Sequence, residues 1–306
     1  MLSVKHINSF LSIRNDEIKL LLRKLRRVCG QDFAKVELRS MLVDMSFNAA
    51  MRMVWGQWFY NNESDVTDLD EVKRFREVMK ESSAFDLGND ESNFGDFVPF
   101  FRWIDYRGYP KKLPNIEKRL DDSFNELIHL YRSKRRGMER QNTMVDHLLS
   151  SQETEPEFYT DEAVKALILV MVAGASAATA LEWMMANLVN HPDELEKARE
   201  ELKAWDPQLR AEPDGFKPER YDNGEGDVRN PITFGMGRRA CPGEPLAMGT
   251  MGLTAAVLIQ CFDWKRIGRE AVDMTAANGL VMRRAAPLEA LCKARPIVNK
   301  IQLQLL

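Results

Sequence analysis

Apolar residues recur at three- and four-residue spacing through much of the first half of the chain, and that period predicts helices over 16–28, 36–58 and 68–82. Between Phe85 and Tyr109 the rhythm is broken by Gly88, Gly95, Pro99 and Gly108, so this stretch reads as a loop packed by its aromatics. Helical spacing resumes over 113–134, with Leu120, Phe124, Leu127, Ile128 and Tyr131 on one stripe. From Ala166 to Val189 the only charge is Glu182. Thr160 ahead of that stretch supplies an N-cap hydroxyl, and Asp161 and Glu162 suit the positive end of a helix. Its length approaches that of a membrane-spanning helix. Gly174, Ser176, Thr179 and the many alanines nevertheless make it weakly hydrophobic, and Glu182 would be costly in lipid, so a buried core helix ending at His191-Pro192 is expected. A short helix over 193–204, a proline-punctuated coil to 230 and a helix over 245–261 follow. Extended pieces around 280–282 and 297–305 fit strands. The fold class expected is mostly α with minor β.

Composition narrows this only a little. A chain of 306 residues with 44% apolar and 29% charged residues has room for one large domain or two small ones. A net charge of −3 and a pI near 6.0 argue against nucleic acid as a partner. The basic run from Arg132 to Arg140 reads as a solvated helix face. Cys29, Cys241, Cys261 and Cys292 are scattered without CxxC spacing, which suggests neither a zinc site nor a disulfide framework and fits a reducing compartment. The N-terminal residues turn polar at once, and neither signal peptide nor anchor is visible.

One decapeptide changes the picture. Phe234-Gly-Met-Gly-Arg-Arg-Ala-Cys-Pro-Gly243 places Cys241 in a glycine-rich loop that runs straight into an apolar helix. Gly235 and Gly237 can take positive φ and, lacking Cβ, let the backbone approach a flat macrocycle. A helix starting near Pro242 would turn its positive end toward the Cys241 sulfur and favour the thiolate. Arg239 is then placed to meet a haem propionate, while Phe234 covers the sulfur against water. The alternative is a buried structural cysteine after a loop.

This loop resembles the haem-binding loop of the cytochrome P450 superfamily, whose Phe, Gly, Arg, Cys and Gly are met by Phe234, Gly237, Arg239, Cys241 and Gly243. Further resemblance to plant microsomal members of the isoflavone hydroxylase-like type runs almost end to end, through Asn8–Arg14, Gly95–Pro99, Arg102–Tyr106, Asp146–Leu149, Glu182-Trp183, Asn190–Pro192, Phe216–Tyr221 and Gln260–Trp264. It implies a single P450 domain over 1–306. The cofactor implied is haem b with Cys241 as the axial iron ligand, and Gly235 and Gly243 shape the thiolate site. Electrons would come from an NADPH-cytochrome P450 reductase at the cytosolic face of the endoplasmic reticulum membrane. The implied reaction inserts one oxygen atom into a small hydrophobic substrate, flavonoid-like or another plant specialised metabolite. Leu280, Val281 and Met282 resemble a substrate-contacting turn, against the commoner fate of such apolar triplets, core packing.

The chain departs from that pattern in three places. Family members carry an adjacent acid and alcohol in the middle of the long helix, which deliver protons to dioxygen. Here 173–179 reads Ala-Gly-Ala-Ser-Ala-Ala-Thr, so only the hydroxyls of Ser176 or Thr179 remain, and a relay without its acid protonates poorly. The segment Phe216–Tyr221 resembles the one whose arginine, Arg220, joins a glutamate and an arginine of an upstream helix. That helix is missing, and the sequence jumps from about Ala204 into Asp206-Pro-Gln-Leu209. Glu71 to Arg74 and Glu196 to Arg199 share the helix's Glu-x-x-Arg spacing; the latter follows His191-Pro192 and reads as a surface pair. Finally, Ser3–Arg14 already resembles sequence well inside the domain, with anchor, hinge and first strands absent ahead of it. An impaired or inactive remnant, or a fragment of a gene model, is therefore the rival expectation.

Overall fold

The computed structural model describes residues 9–30, 32–56, 109–135, 143–173, 177–204, 234–277 apart from 236, and 281–298, together with part of 71–81. Helix α1 (Leu11–Cys29) is amphipathic, burying Ile18, Leu21, Leu22 and Leu25 while Arg23, Lys24, Arg26 and Arg27 face water. Gly30 ends it at φ 54°. Strand β1 (Ala34–Glu37) leads directly into α2 (Leu38–Trp55). Next come α3 (Tyr109–Arg135), α4 (Met144–Thr154), α5 (Asp161–Ala173), α6 (Ala177–Asn190) and α7 (Pro192–Ala204). Helix α8 (Glu244–Cys261) runs into strand β2 (Phe262–Lys265), and β3 (Glu289–Ala294) follows.

The chain divides into two compact units, interleaved in sequence. The first comprises residues 43–179 and 273–287. Its core includes an edge-on contact of Phe75 with Phe124, ring centroids 5.1 Å apart, and Trp55 tilted against Tyr131. The Thr143 hydroxyl caps α4 by accepting the Asp146 N–H at 3.1 Å and meets the Tyr131 hydroxyl at 2.7 Å. Thr160 caps α5 as expected, accepting the Ala163 N–H at 3.3 Å. Arg132, in the run read as a solvated face, is exposed but reaches Asp161 at 2.8 Å.

The second unit comprises residues 2–42, 180–272 and 288–306. It holds a three-stranded antiparallel sheet in the order β1-β3-β2, with Ala34 opposite Cys292 and Trp264 opposite Cys292 from the other side. Glu182 of α6 is buried at 1% exposure in this unit. Arg39 donates to both of its carboxylate oxygens, at 3.1 and 2.9 Å, and the Leu288 N–H adds a third bond at 2.8 Å. The stretch 161–190 is long and apolar enough by composition to cross a membrane. A buried acid held by a cation and a backbone N–H is the chemistry of a core helix, as the sequence predicts.

Several expectations need correction. Val36 and Glu37 begin no helix: with Ala34 and Lys35 they alternate in burial and pair with β3, so ladder bonds override the helical spacing. The helix stops at Trp55, where Gly56 takes φ 81°. Val281 and Met282 lie in a turn beneath the isolated bridge of Ala276 with Arg284, with Arg283 N–H bonded to the Val281 carbonyl at 2.8 Å. Ile297 and Val298 belong to a short helical turn, while 299–305 lie outside the described residues. Helices α1 and α3 start earlier than predicted, at Leu11 and Tyr109. Helix α4 and strands β2 and β3 were not anticipated.

Candidate functional site

The cysteine loop closes on itself. The Cys241 N–H donates to the Phe234 carbonyl at 2.7 Å, and the Ala240 N–H to the Gly237 carbonyl at 3.1 Å, so the chain from Phe234 to Cys241 is tied into a tight bulge. Gly235 and Gly237 sit at φ 71° and 65°, the left-handed region that the sequence reserves for glycine here. Gly237 to Arg239 wind into a single 3₁₀ turn. Cys241 is a free, exposed thiol at the end of this bulge. The rival reading of a buried structural cysteine is therefore wrong. Helix α8 starts at Glu244, past Pro242, with Gly243 as its N-cap and Pro245 in its first turn. A Cβ at Gly243 would stand 3.7 Å from the Cys241 sulfur.

Arg239 and Arg238 are exposed, and neither guanidinium has a partner among the described residues. Phe234 is half-buried, its carbonyl committed to the loop closure. Together these residues fit a flat, anionic-edged macrocycle with a soft metal. An accessible sulfur faces outward at a helix N-terminus, the glycines leave the loop's outer surface open, and a cation stands beside it.

Sequence reasoning missed what holds the helix behind this loop. Arg14 of α1 is buried at 4% exposure and lies against α8, its Nη1 2.8 Å from where a Cβ on Gly249 would stand. Burial holds its pKa below the ordinary arginine value. Gly249 thus permits a cation to approach the first two turns of α8. At the other end Arg199 of α7 donates to the carbonyls of Ile259 and Phe262, at 3.3 and 3.2 Å. Read from spacing as one half of a surface pair, Arg199 is in fact buried, and only its partner Glu196 is exposed. A sequence cue existed in neither case beyond an arginine on a helix.

The other predicted residues fall in the first unit. Thr179 is partly buried on α6, Val281 is half-buried, and Met282 is 66% exposed at the tip of its turn, so it does not pack into a core. Ser176 and Leu280 lie outside the described residues, as does Arg220. Among the described residues no cluster of His, Cys, Asp and Glu could hold a metal ion.

Comparison with known proteins agrees with the loop. The cytochrome P450 family model matches residues 1–210 and 204–290. Cytochrome P450 81E8 of Medicago truncatula is 38% identical over 363 aligned positions, covering 96% of this chain and 71% of the relative. Isoflavone 2'-hydroxylase of Glycyrrhiza echinata is 36% identical, covering 98% and 72%, and isoflavone 3'-hydroxylase of Medicago truncatula is 36% identical, covering 98% and 73%. The chain belongs to the cytochrome P450 family, among plant members of the isoflavone hydroxylase type.

Proposed function

We propose that this chain is built as a haem-thiolate monooxygenase for a small hydrophobic, flavonoid-like substrate, with Cys241 as the sulfur ligand. The carrying observation is the closed loop 234–241, which exposes one thiol after two positive-φ glycines and just ahead of an 18-residue helix. Haem b, when bound, supplies the activation of dioxygen with electrons that begin on NADPH and pass through a reductase. The protein's own part is to hold and tune it. Cys241 donates charge to the metal, Arg239 holds a propionate, and Phe234 limits water at the sulfur. Ser176 or Thr179 offers the hydroxyl that moves a proton, and Leu280, Val281 and Met282 meet the substrate. The relatives named as isoflavone hydroxylases support the substrate class. Membrane association at the endoplasmic reticulum is carried over from the family.

A second reading concerns turnover. The family model matches in two pieces that overlap at 204–210, and each alignment above is longer than the chain's 306 residues, so relatives carry internal residues with no counterpart here. These support a missing internal segment near Ala204, where the partners of Arg220 would lie. With the relay acid also absent, we infer a chain that is impaired in catalysis while keeping its haem-binding loop.

The test is spectroscopic. Reduced, haem-loaded protein under carbon monoxide should show the red-shifted Soret band of a thiolate complex, and Cys241→Ser should abolish it. Dependence of the band on Cys29, Cys261 or Cys292 instead would refute the assignment. Coupling tests the second reading: NADPH consumption should yield mostly peroxide or water. Restoring an adjacent Asp and Thr within 173–179 should raise the product-to-NADPH ratio. Tight coupling before that repair would show the relay intact. Reading the transcript across Lys203 to Asp206 decides whether the gap is encoded or spliced in by error.

A further inference from the structure

Helix α8 has no stripe to tell it which way to face. After Glu244 it carries no charge, and its apolar side chains point to every side: Met248 and Leu253 are exposed while Val257, Leu258 and Ile259 are buried. An amphipathic helix is set in rotation by burying its one apolar face. Any face of α8 gains by burial, so specific contacts have to fix its rotation. Successive residues step by about 100° around a helix axis, and a small roll therefore re-aims whatever is attached to the first turn. Cys241 is joined to that turn through Pro242 and Gly243.

A specific contact in the second turn, near the cysteine, is made by Arg14. Helix α1 packs on α8, and Arg14, at 4% exposure, sets its guanidinium against Gly249. A Cβ at Gly249 would stand 2.8 Å from Arg14 Nη1 and 3.9 Å from its Cζ, whereas one at Gly252, a turn further on, would meet nothing within 4 Å. The gap left by a missing side chain is thus filled at 249 and empty at 252. A flat guanidinium suits a bare stretch of helix backbone, where a bulkier or rounder head would not.

Taking Cys241 as the haem ligand, we propose that Arg14 is a positioning residue for the thiolate: seated in the notch that Gly249 leaves, it fixes the rotation of α8 and with it the direction in which the loop presents the sulfur. The loop's own bonds do not set that direction. They join Phe234 to Cys241 and Gly237 to Ala240, and so shape the bulge without orienting the helix behind it. A residue more than 200 positions upstream thereby takes part in ligation without touching the ligand.

The experiment loads the full chain and its variants with haem and records the reduced carbon monoxide spectrum of the folded, haem-bound fraction. A well-presented thiolate gives the red-shifted Soret band, and a displaced sulfur gives a band at shorter wavelength. The ratio of the two is read within folded protein, so a loss of stability alone does not move it. Gly249→Ala pushes Arg14 from its seat and should shift absorbance to the shorter-wavelength band; it removes no buried group and favours helix, so it carries the test even where Arg14→Ala fails to fold. Arg14→Ala should shift the ratio the same way, and Arg14→Lys, a cation without the fork, should fall between. The double variant Arg14→Ala with Gly249→Ala should lose no more than the worse single one, because both remove the same contact. Gly252→Ala should leave the ratio unchanged. An intact thiolate band in Gly249→Ala and Arg14→Lys, strictly additive losses, or an equal shift from Gly252→Ala would overturn the role of Arg14 and leave Cys241 as the ligand. An unsubstituted chain without the red-shifted band would instead overturn the haem-thiolate reading and this role together.

Discussion

The two ends of α8 are held in opposite ways. At its C-terminal end the last carbonyls all have named donors: Leu258 accepts Trp264 Nε1 at 2.8 Å, Ile259 accepts Arg199, Gln260 accepts Arg295 at 2.9 Å, and Cys261 accepts the Arg295 N–H at 2.9 Å. Asp263 lies between the two arginines, 3.4 and 3.6 Å from them. These are the carbonyls that a helix end leaves without intrahelical partners, and the two cations also suit the negative end of its dipole. At the N-terminal end the residues are exposed, two are prolines, and the loop before them rests on glycines at positive φ. The helix is thus clamped at the end away from the chemistry. A rigid far end sets where the cysteine stands, and an open near end leaves room for the group it binds.

The largest expected contrast is in thiol reactivity, since a cysteine sits near each end. Burial pushes the Cys261 pKa up to about 12, so its thiolate is scarcer than that of a thiol at the ordinary 9.0 by about a thousandfold, before access is counted. Iodoacetamide should label Cys241 of the haem-free protein first and leave Cys261 unlabelled until the chain unfolds. Comparable rates would erase the contrast. The same shift carries a stability signature. The native state holds this proton above the pH at which the unfolded chain loses it, so stability should fall as pH rises between about 9 and about 12. Cys261→Ala should flatten that alkaline decline.

The clamp itself should be worth less than that reactivity contrast but enough to measure. Arg199→Ala leaves the Ile259 and Phe262 carbonyls without their buried donor, a loss of about 3 kcal/mol in unfolding free energy by chemical denaturation. Arg199→Lys keeps a cation but lacks the fork that reaches both carbonyls, so it should fall between. Arg239→Ala, at the exposed end, should change stability by less than about 0.5 kcal/mol. Equal losses at the two arginines would mean that the ends are held alike.

The end that carries the chemistry is also the end that was legible in the sequence, for a physical reason. Cys241, Arg239, Phe234 and the glycines lie within ten residues, and the loop bonds join near neighbours, so composition and spacing report the geometry directly. The clamp depends on Arg199 meeting Ile259 across 60 positions, and helical spacing on α7 says nothing about which carbonyl a side chain will reach. Glu182 follows the same rule: a lone acid in an apolar helix marks a buried position, but its partner Arg39 lies 143 positions away. The strands were lost to length. Strand β2 is four residues fused to a helix end, and β3 reads Glu-Ala-Leu-Cys-Lys-Ala, mostly helix formers that pairing on both sides overrides.

The smallest effects separate the glycines that the loop requires from one that the helix merely tolerates. Gly237 has open space where a Cβ would stand, so Gly237→Ala meets no clash and its cost is conformational, about 1 kcal/mol for an L-residue held at φ 65°. Gly252 also has open space, but it sits inside α8 without a positive φ. Alanine there removes unfolded-state freedom and suits the helix, so Gly252→Ala should raise stability by about 0.5 to 1 kcal/mol. Chemical denaturation of both variants gives the signs. Opposite signs locate the strain in the loop that presents Cys241 and leave the helix behind it relaxed. A gain at both positions would mean that the loop glycines are not held at positive φ, and the open, glycine-shaped end of the comparison would have to be given up.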